Sequence, residues 1–194
     1  MKKYHRGFTL VEGLIVMGII GIMVSMGLPW FITITKSSTM TSTVNNFLAD
    51  MRFARSEALR RGGGVVMCRS NAPEAATPVC NGNTNATTGW QTGWIIFHDR
   101  NGNGTFQTTD TLLRVQSPIT SMDSIIDPSS SPSYSFTFSP TGRLTVATAA
   151  TLNFGGASFK NYRNPDNIFN LQRVVCVAAT GRARIAGDGT ATCT

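Results

Sequence analysis

The feature that most constrains this chain is a long apolar run close to its beginning. Phe8–Leu28 contains 21 residues and a single charge, Glu12. As a helix this run would be about 31 Å long, the hydrocarbon thickness of a bilayer. Basic residues at positions 2–6 precede it, and such a flank stays on the cytoplasmic side. A cleaved secretory signal is the alternative, but Pro29–Ile32 follow where a small-residue cleavage site would be needed. We therefore predict a retained membrane segment.

The remainder of the chain is typical of an α+β domain. Apolar residues recur at helical spacing in the segment that ends at Gly62-Gly63-Gly64, and they are Val44, Phe47, Leu48, Met51, Ala54 and Ala58. Short β-type runs follow, separated by turn residues. The predicted strands are Val65–Cys68, Trp94–His98, Thr111–Gln116, Tyr134–Phe138, Arg143–Ala147, Thr151–Phe154, Arg173–Ala178 and Arg182–Ala186. We expect a helix from Phe8 to about Arg61, lightly broken at Pro29, packed on a mostly antiparallel sheet.

The residues around the start of the apolar run are more specific. Arg6-Gly7-Phe8-Thr9-Leu10-Val11-Glu12 resembles the class III signal of type IV prepilins and type II secretion pseudopilins. The resemblance implies that prepilin peptidase cleaves after Gly7 and that Phe8 is then N-methylated. It also implies that Glu12 guides assembly by pairing with the amino terminus of a neighbouring subunit. A carboxylate within a membrane segment is costly unless paired, which independently favours a functional role.

This resemblance implies a division of the chain and a location. Residues 1–7 would be the leader, residues 8–35 the transmembrane half-helix, and residues 36–194 a periplasmic domain. That domain would contain the second half-helix, 36–61, and the sheet region, 64–194. The protein would be a single-pass inner-membrane protein before assembly, and afterwards part of a pilus or pseudopilus near its tip.

Three further segments narrow the family. Ala54-Arg55-Ser56-Glu57-Ala58, Val65–Cys68 and Gly93–Phe97 followed by Asp99 resemble the FimT/GspH family, which contains pseudopilin H and the minor pilins FimT and FimU. The resemblance implies a type IV pilin-like fold and partnership with other minor and major pilins. His98 is the sole histidine after the predicted leader, and Walker, zinc-protease and nucleophile-elbow motifs are absent from the sequence. We expect a non-enzyme without a cofactor.

The segment Thr180-Gly181-Arg182-Ala183-Arg184 points to one member of this family. It resembles the Gly-Arg-x-Arg motif with which FimT-type minor pilins bind DNA during natural transformation. In an extended segment, Arg182 and Arg184 would point the same way about 6.6 Å apart, so that each could grip a phosphate of double-stranded DNA. Gly181 would allow the preceding turn. Further basic candidates are Arg143, Lys160, Arg163 and Arg173.

Two alternatives to DNA capture stay open. The arginines could simply form the solvent-exposed face of a strand without binding a ligand. The chain has 17 basic and 10 acidic residues, and this moderate positive charge does not by itself indicate DNA binding. The protein could also be a structural or priming minor pilin like FimU, or a type II secretion pseudopilin H, whose same surface contacts other subunits.

Four cysteines lie outside the apolar run. None of the spacings is as short as those between the paired cysteine ligands of zinc sites. In the periplasm such cysteines form disulfides. The spacing leaves the connectivity open, and the local pairs Cys68–Cys80 and Cys176–Cys193 are the economical choice.

One loop has the oxygen-ligand spacing of a calcium site, through Asp99, Asn101, Asn103 and Asp110. The same residues suit a hairpin turn. The turn is the prediction that we favour, with no metal bound.

Overall fold

The computed structural model describes most of the 194-residue chain. The described residues are 8–82, 89–129, 132–146, 149–160, 162–164, 167–169, 171–189 and 191–193. For residues 26–30, 157, 160, 162–164 and 167–169 the description covers the backbone alone.

A single helix, α1 (Leu10–Arg61), dominates the fold with 52 residues. It begins two residues after Phe8 because Thr9 caps it: the Thr9 hydroxyl accepts a hydrogen bond from the Glu12 N–H at 3.3 Å. The backbone is helical through Pro29, so the light break expected there is absent. Proline removes one N–H donor, and the hydrogen bonds of the flanking turns maintain the helix.

The first half of α1 exposes apolar side chains. They include Leu10, Leu14, Ile15, Met17, Ile19, Ile20, Ile22 and Met23. Within the part of the chain that the structure describes, no helix combines the length and the apolarity needed to cross a membrane.

Two four-stranded antiparallel sheets pack against the second half of α1. The first has the order β3-β2-β1-β5, from β1 (Val65–Arg69), β2 (Trp94–His98), β3 (Thr111–Gln116) and β5 (Ser135–Phe138). The second has the order β10-β9-β6-β4, from β4 (Ile125–Ile126), β6 (Ala150–Phe154), β9 (Arg173–Val177) and β10 (Ala183–Asp188). The remaining elements are a 3-10 turn (Trp90–Thr92), α2 (Ala157–Lys160), and the strand pair β7 (Tyr162–Asn164) and β8 (Asn167–Phe169). The α+β fold class is confirmed.

Two predicted segments differ from the structure. The strand expected at Arg143–Ala147 is reduced to one bridge between Leu144 and Phe138, and the Leu144 N–H on the opposite edge donates to the Ala179 carbonyl; Ala147 lies outside the described residues. The segment between the strands predicted at Thr111–Gln116 and Tyr134–Phe138, where no strand is predicted, contains β4, whose two residues pair with β6.

The main core lies between α1 and the two sheets. The six apolar residues predicted to share one helix face are all buried there. Phe47 is central, and its ring contacts those of Trp90, Trp94 and Phe154 edge-on at centroid distances of 5.5, 5.4 and 5.5 Å. Both tryptophans are fully buried, which confirms that they are core residues.

Each cysteine pairs locally. Cys68 is joined to Cys80 and Cys176 to Cys193, with Cα–Cα distances of 5.5 and 5.6 Å. The first pair packs on the outer face of β1 and β2, beside Val66, Ile95 and Phe97. The second ties the end of the chain to β9.

Candidate nucleic-acid interface

The Gly-Arg-x-Arg segment forms the turn between β9 and β10. The Gly181 N–H donates to the Ala178 carbonyl at 2.8 Å, and the Ala178 N–H donates to the Arg182 carbonyl at 2.9 Å. Gly181 has a φ of +74°, which L side chains rarely adopt. The sequence therefore specifies this turn through its glycine.

The turn also rests on a second loop. A Cβ atom at Gly181 would overlap the carbonyl oxygen of Gly142, and it would come within 3.2 Å of the Phe138 ring. The Leu144 N–H donates to the Ala179 carbonyl at 3.0 Å. Gly181 thus serves both as a turn residue and as a point of close packing.

Arg182 and Arg184 are exposed, whereas Ala183 between them packs against the main core. Because side chains alternate along an extended segment, both arginines lie on the outer face, about 6.6 Å apart along the strand. Arg184 is the register partner of Cys176, so it shares a face with the Cys176–Cys193 disulfide. Both arginines thus lie exposed where the edge strand β10 begins.

A groove of about 370 Å³ borders the two arginines on this face. Among the residues that the structure describes, its lining contains no acidic side chain; these lining residues are Ala149, Cys176, Val177, Ala178, Thr180, Arg182, Ala183, Arg184 and Cys193. We call it the hairpin groove. A phosphate there would meet guanidinium donors and no carboxylate.

A smaller pocket of about 330 Å³ lies on the other side of Arg182. Arg52 and Arg55 of α1 line it together with Gly181, Arg182 and Ala183, and we call it the arginine pocket. Arg52 and Arg55 lie off the buried face of α1, and the sequence contains no local signal that connects them to the hairpin. Their spacing of three residues puts them on one helix face, and only the fold brings that face to residue 182.

The other basic candidates are dispersed. Arg143 is exposed beside Gly142, in the loop that supports the turn. Arg173 begins β9, at the opposite end of the strand from the turn, and donates to the Gln172 carbonyl at 2.9 Å. The side chains of Lys160 and Arg163 lie outside the described residues. The structure therefore groups Arg143, and not Arg173, with the hairpin.

Nearby acidic side chains on α1 are paired elsewhere. Arg60 donates to Glu57 at 2.6 and 3.0 Å, and Arg61 donates to it at 2.7 Å. The hydrogen bonds from Arg60 and then Arg61 hold the pKa of Glu57 at about 2, below its ordinary 4.5. Asp50 faces Trp94 and Arg114. Neither carboxylate lines the arginine pocket.

The calcium-like loop closes on itself. Asp99 accepts from the N–H groups of Gly102 and Gly104 at 2.8 and 2.7 Å. The loop's other side-chain oxygens, in Asn101, Asn103 and Asp110, also accept backbone N–H groups. Among the described residues, no group of three or more His, Cys, Asp or Glu side chains could hold a metal ion. The geometry is that of the hairpin connection expected between β2 and β3.

The structure describes the predicted prepilin processing signal only from Phe8 onward. Phe8 is 77% exposed and precedes the Thr9 cap, and Gly7 lies outside the described residues. Glu12 is exposed in the first turn of α1, where a carboxylate is favoured by the helix dipole. Thr9 and Glu12 also have the spacing of a capping box, a sequence signal that accounts for the helix start.

Comparisons with known proteins agree with this architecture. The family described as type II transport protein GspH matches residues 43–181, and the prokaryotic N-terminal methylation motif matches residues 2–28. No curated protein sequence matches the chain significantly.

Two crystal structures of the type IV minor pilin FimU from Pseudomonas aeruginosa (strain PAO1) have a similar fold. The one in space group P21 is 16% identical, covers 82% of this chain and 96% of its own, and has a TM-score of 0.55. The one in space group P65 is 17% identical, with coverages of 78% and 96% and a TM-score of 0.50.

These matches imply properties that pilin-type proteins have in common. Such families are structural and non-enzymatic, and the methylation motif implies processing by prepilin peptidase and assembly with other pilins. Since the GspH match spans more than half of the chain and the fold is that of a type IV minor pilin, this protein belongs to the GspH family of pilin-like proteins.

Proposed function

We propose that this protein is a minor pilin of a type IV pilus that binds double-stranded DNA, without sequence preference, during natural transformation. The observation that carries the proposal is the placement of Arg182 and Arg184, both exposed at a sheet edge beside a groove whose described lining residues include no acidic side chain. Guanidinium forks form charge-assisted hydrogen bonds with phosphates, and backbone contacts of this kind do not read bases.

The proposed route to the filament begins in the inner membrane. Residues 1–7 are the leader, removed after Gly7; residues 8–35 form the membrane half-helix; and residues 36–194 form the periplasmic domain. Phe8 is N-methylated, and Glu12 pairs with the amino terminus of a neighbouring subunit. The match of residues 2–28 to the methylation motif supports this proposal. If it is correct, Glu12→Gln leaves the protein in the membrane fraction but reduces its recovery in filaments.

DNA binding is tested with the full chain in a nonionic detergent and a short fluorescent duplex. We expect affinity in the micromolar range at physiological salt, weakening as salt rises. Arg182→Gln combined with Arg184→Gln should remove most binding and lower the salt slope by about 2, because two phosphate contacts are lost. Arg60→Gln combined with Arg100→Gln removes the same charge from exposed arginines that line neither pocket. Equal binding by wild type and the 182/184 variant would refute the assignment.

A second candidate function is a structural or priming subunit, either a FimU-like minor pilin or a type II secretion pseudopilin H at the filament tip. The fold similarity to FimU and the GspH match favour it. In that case, the hairpin arginines would contact other minor pilins, and their substitution would reduce filament formation instead of DNA binding.

A further inference from the structure

The arginine pocket is a second cationic feature, and it shares Arg182 and Ala183 with the hairpin groove. Arg52 and Arg55 come from α1 and Arg182 from the β9–β10 turn, which are distant in sequence. Three arginines therefore line one pocket of about 330 Å³, and their positive charges would attract an anion into it.

Packing holds two sides of this pocket in place. Arg55 lies against Gly142, where an added Cβ would come within 2.9 Å of its Nε atom. Gly142 in turn lies against Gly181, the residue before Arg182. The close approach of two glycines therefore sets the distance between α1 and the hairpin.

The charges of these arginines are not neutralised locally. Among the described residues, no carboxylate forms an ion pair with Arg52, Arg55 or Arg182. Glu57, the acidic residue closest to Arg55 in sequence, is engaged by Arg60 and Arg61. The pocket thus keeps its positive potential.

We propose that Arg52, Arg55 and Arg182 form a binding pocket for one phosphate group of a phosphodiester backbone. Arg182 borders both this pocket and the hairpin groove, so a bound strand would cross from the hairpin onto α1. The inference rests on the proposed function only for the source of the phosphate. The pocket itself is defined by the three arginines that line it.

The test has two arms, both with the full chain in nonionic detergent. In the first, inorganic phosphate is titrated while the arginine Nε–Hε resonances are followed by NMR, and those of Arg52, Arg55 and Arg182 should shift together. In the second, Arg52→Gln combined with Arg55→Gln is compared with Arg60→Gln combined with Arg100→Gln. The first pair should weaken duplex binding about tenfold, as loss of charged hydrogen bonds does, and reduce its salt slope.

The combined results of the two arms test the pocket and the proposed function separately. No phosphate response and unchanged DNA binding by the 52/55 variant would overturn the pocket while leaving the proposed function standing. A phosphate response without DNA binding by wild type would keep the pocket and refute the proposed function. A phosphate response with DNA binding unaffected by the 52/55 variant would refute the backbone assignment. Arg52→Lys combined with Arg55→Lys keeps both positive charges but loses the planar guanidinium group with its paired N–H donors. This variant should therefore retain more of the salt slope than the Gln pair.

Discussion

The buried carboxylate of Asp50 accepts a hydrogen bond from the indole nitrogen of Trp94 at 2.8 Å. Its second oxygen accepts a hydrogen bond from Arg114 at 2.5 Å, and the Arg114 guanidinium lies over the Phe53 ring at 4.2 Å. One acidic residue of α1 therefore binds β2 and β3 at once. This contact fixes the rotation of the helix that carries Arg52 and Arg55.

The first prediction concerns this contact. Asp50→Ala should lower the free energy of unfolding by about 3 kcal/mol, because it leaves the buried Trp94 N–H without an acceptor. Asp50→Asn keeps one oxygen to accept from Trp94 but turns an NH2 donor towards half-exposed Arg114, so it should cost less, about 2 kcal/mol. Urea unfolding of the full chain measures both. Equal stability of Asp50→Ala and wild type would contradict the role of this carboxylate.

The second prediction is that replacing Gly181 costs more stability than replacing an ordinary turn glycine. Gly181→Ala should destabilise the protein by about 2 kcal/mol or more, since it combines an unfavourable φ with overlap at Gly142. Gly102 has a nearly identical φ of +76° but open space around it, so Gly102→Ala should cost about 1 kcal/mol. Thermal unfolding compares the two, and equal losses would show that the close approach to Gly142 is unimportant. The Gly181 variant should also bind DNA more weakly.

Glu57 gives a pH dependence with a defined sign. Its pKa in the folded chain is about 2, against an ordinary 4.5, so the folded state favours the ionised carboxylate. The stabilisation is therefore complete above about pH 4.5 and lost as the pH falls towards 2. The stability difference between wild type and Glu57→Gln should follow the same course. A difference that stays constant from pH 6 to pH 2 would contradict the pairing with Arg60 and Arg61.

The two disulfides differ in their surroundings. Replacing Cys176 and Cys193 together by Ser should lower the free energy of unfolding by about 3 kcal/mol through the freed loop. It should also perturb DNA binding, since Cys193 lines the hairpin groove. Replacing Cys68 and Cys80 should cost more, because a hydroxyl then occupies the buried Cys68 position. DNA binding should survive in the folded fraction of that second variant, and its loss would contradict the assigned location of the groove.

Much of the fold could be predicted from local pattern. The buried face of α1 follows from apolar residues at helical spacing, and strands such as Trp94–His98 and Thr111–Gln116 have the bounds expected. The strand expected at Arg143–Ala147 was wrong, since the segment has one bridge to Phe138 and a long-range hydrogen bond from Leu144 to Ala179 on its other edge. Such pairing is invisible in a local window.

For the candidate site as well, the local features could be predicted from the sequence and the long-range contacts could not. The turn chemistry of Gly181 and the alternation of Arg182 and Arg184 are local properties, and the structure places them as expected. The contribution of Arg52 and Arg55 depends on where α1 meets the hairpin. That position is set by contacts such as those of Asp50 and Gly142, which join distant parts of the chain.

The most direct test of the account is DNA uptake by cells that carry Arg182→Gln and Arg184→Gln, with the amount of filament measured in the same cultures. We expect transformation to fall at least about tenfold while filaments stay at wild-type level, since phosphate contacts alone are lost. Cells with Arg60→Gln and Arg100→Gln should transform normally. Wild-type transformation by the 182/184 variant, with that variant present in filaments, would contradict the central claim.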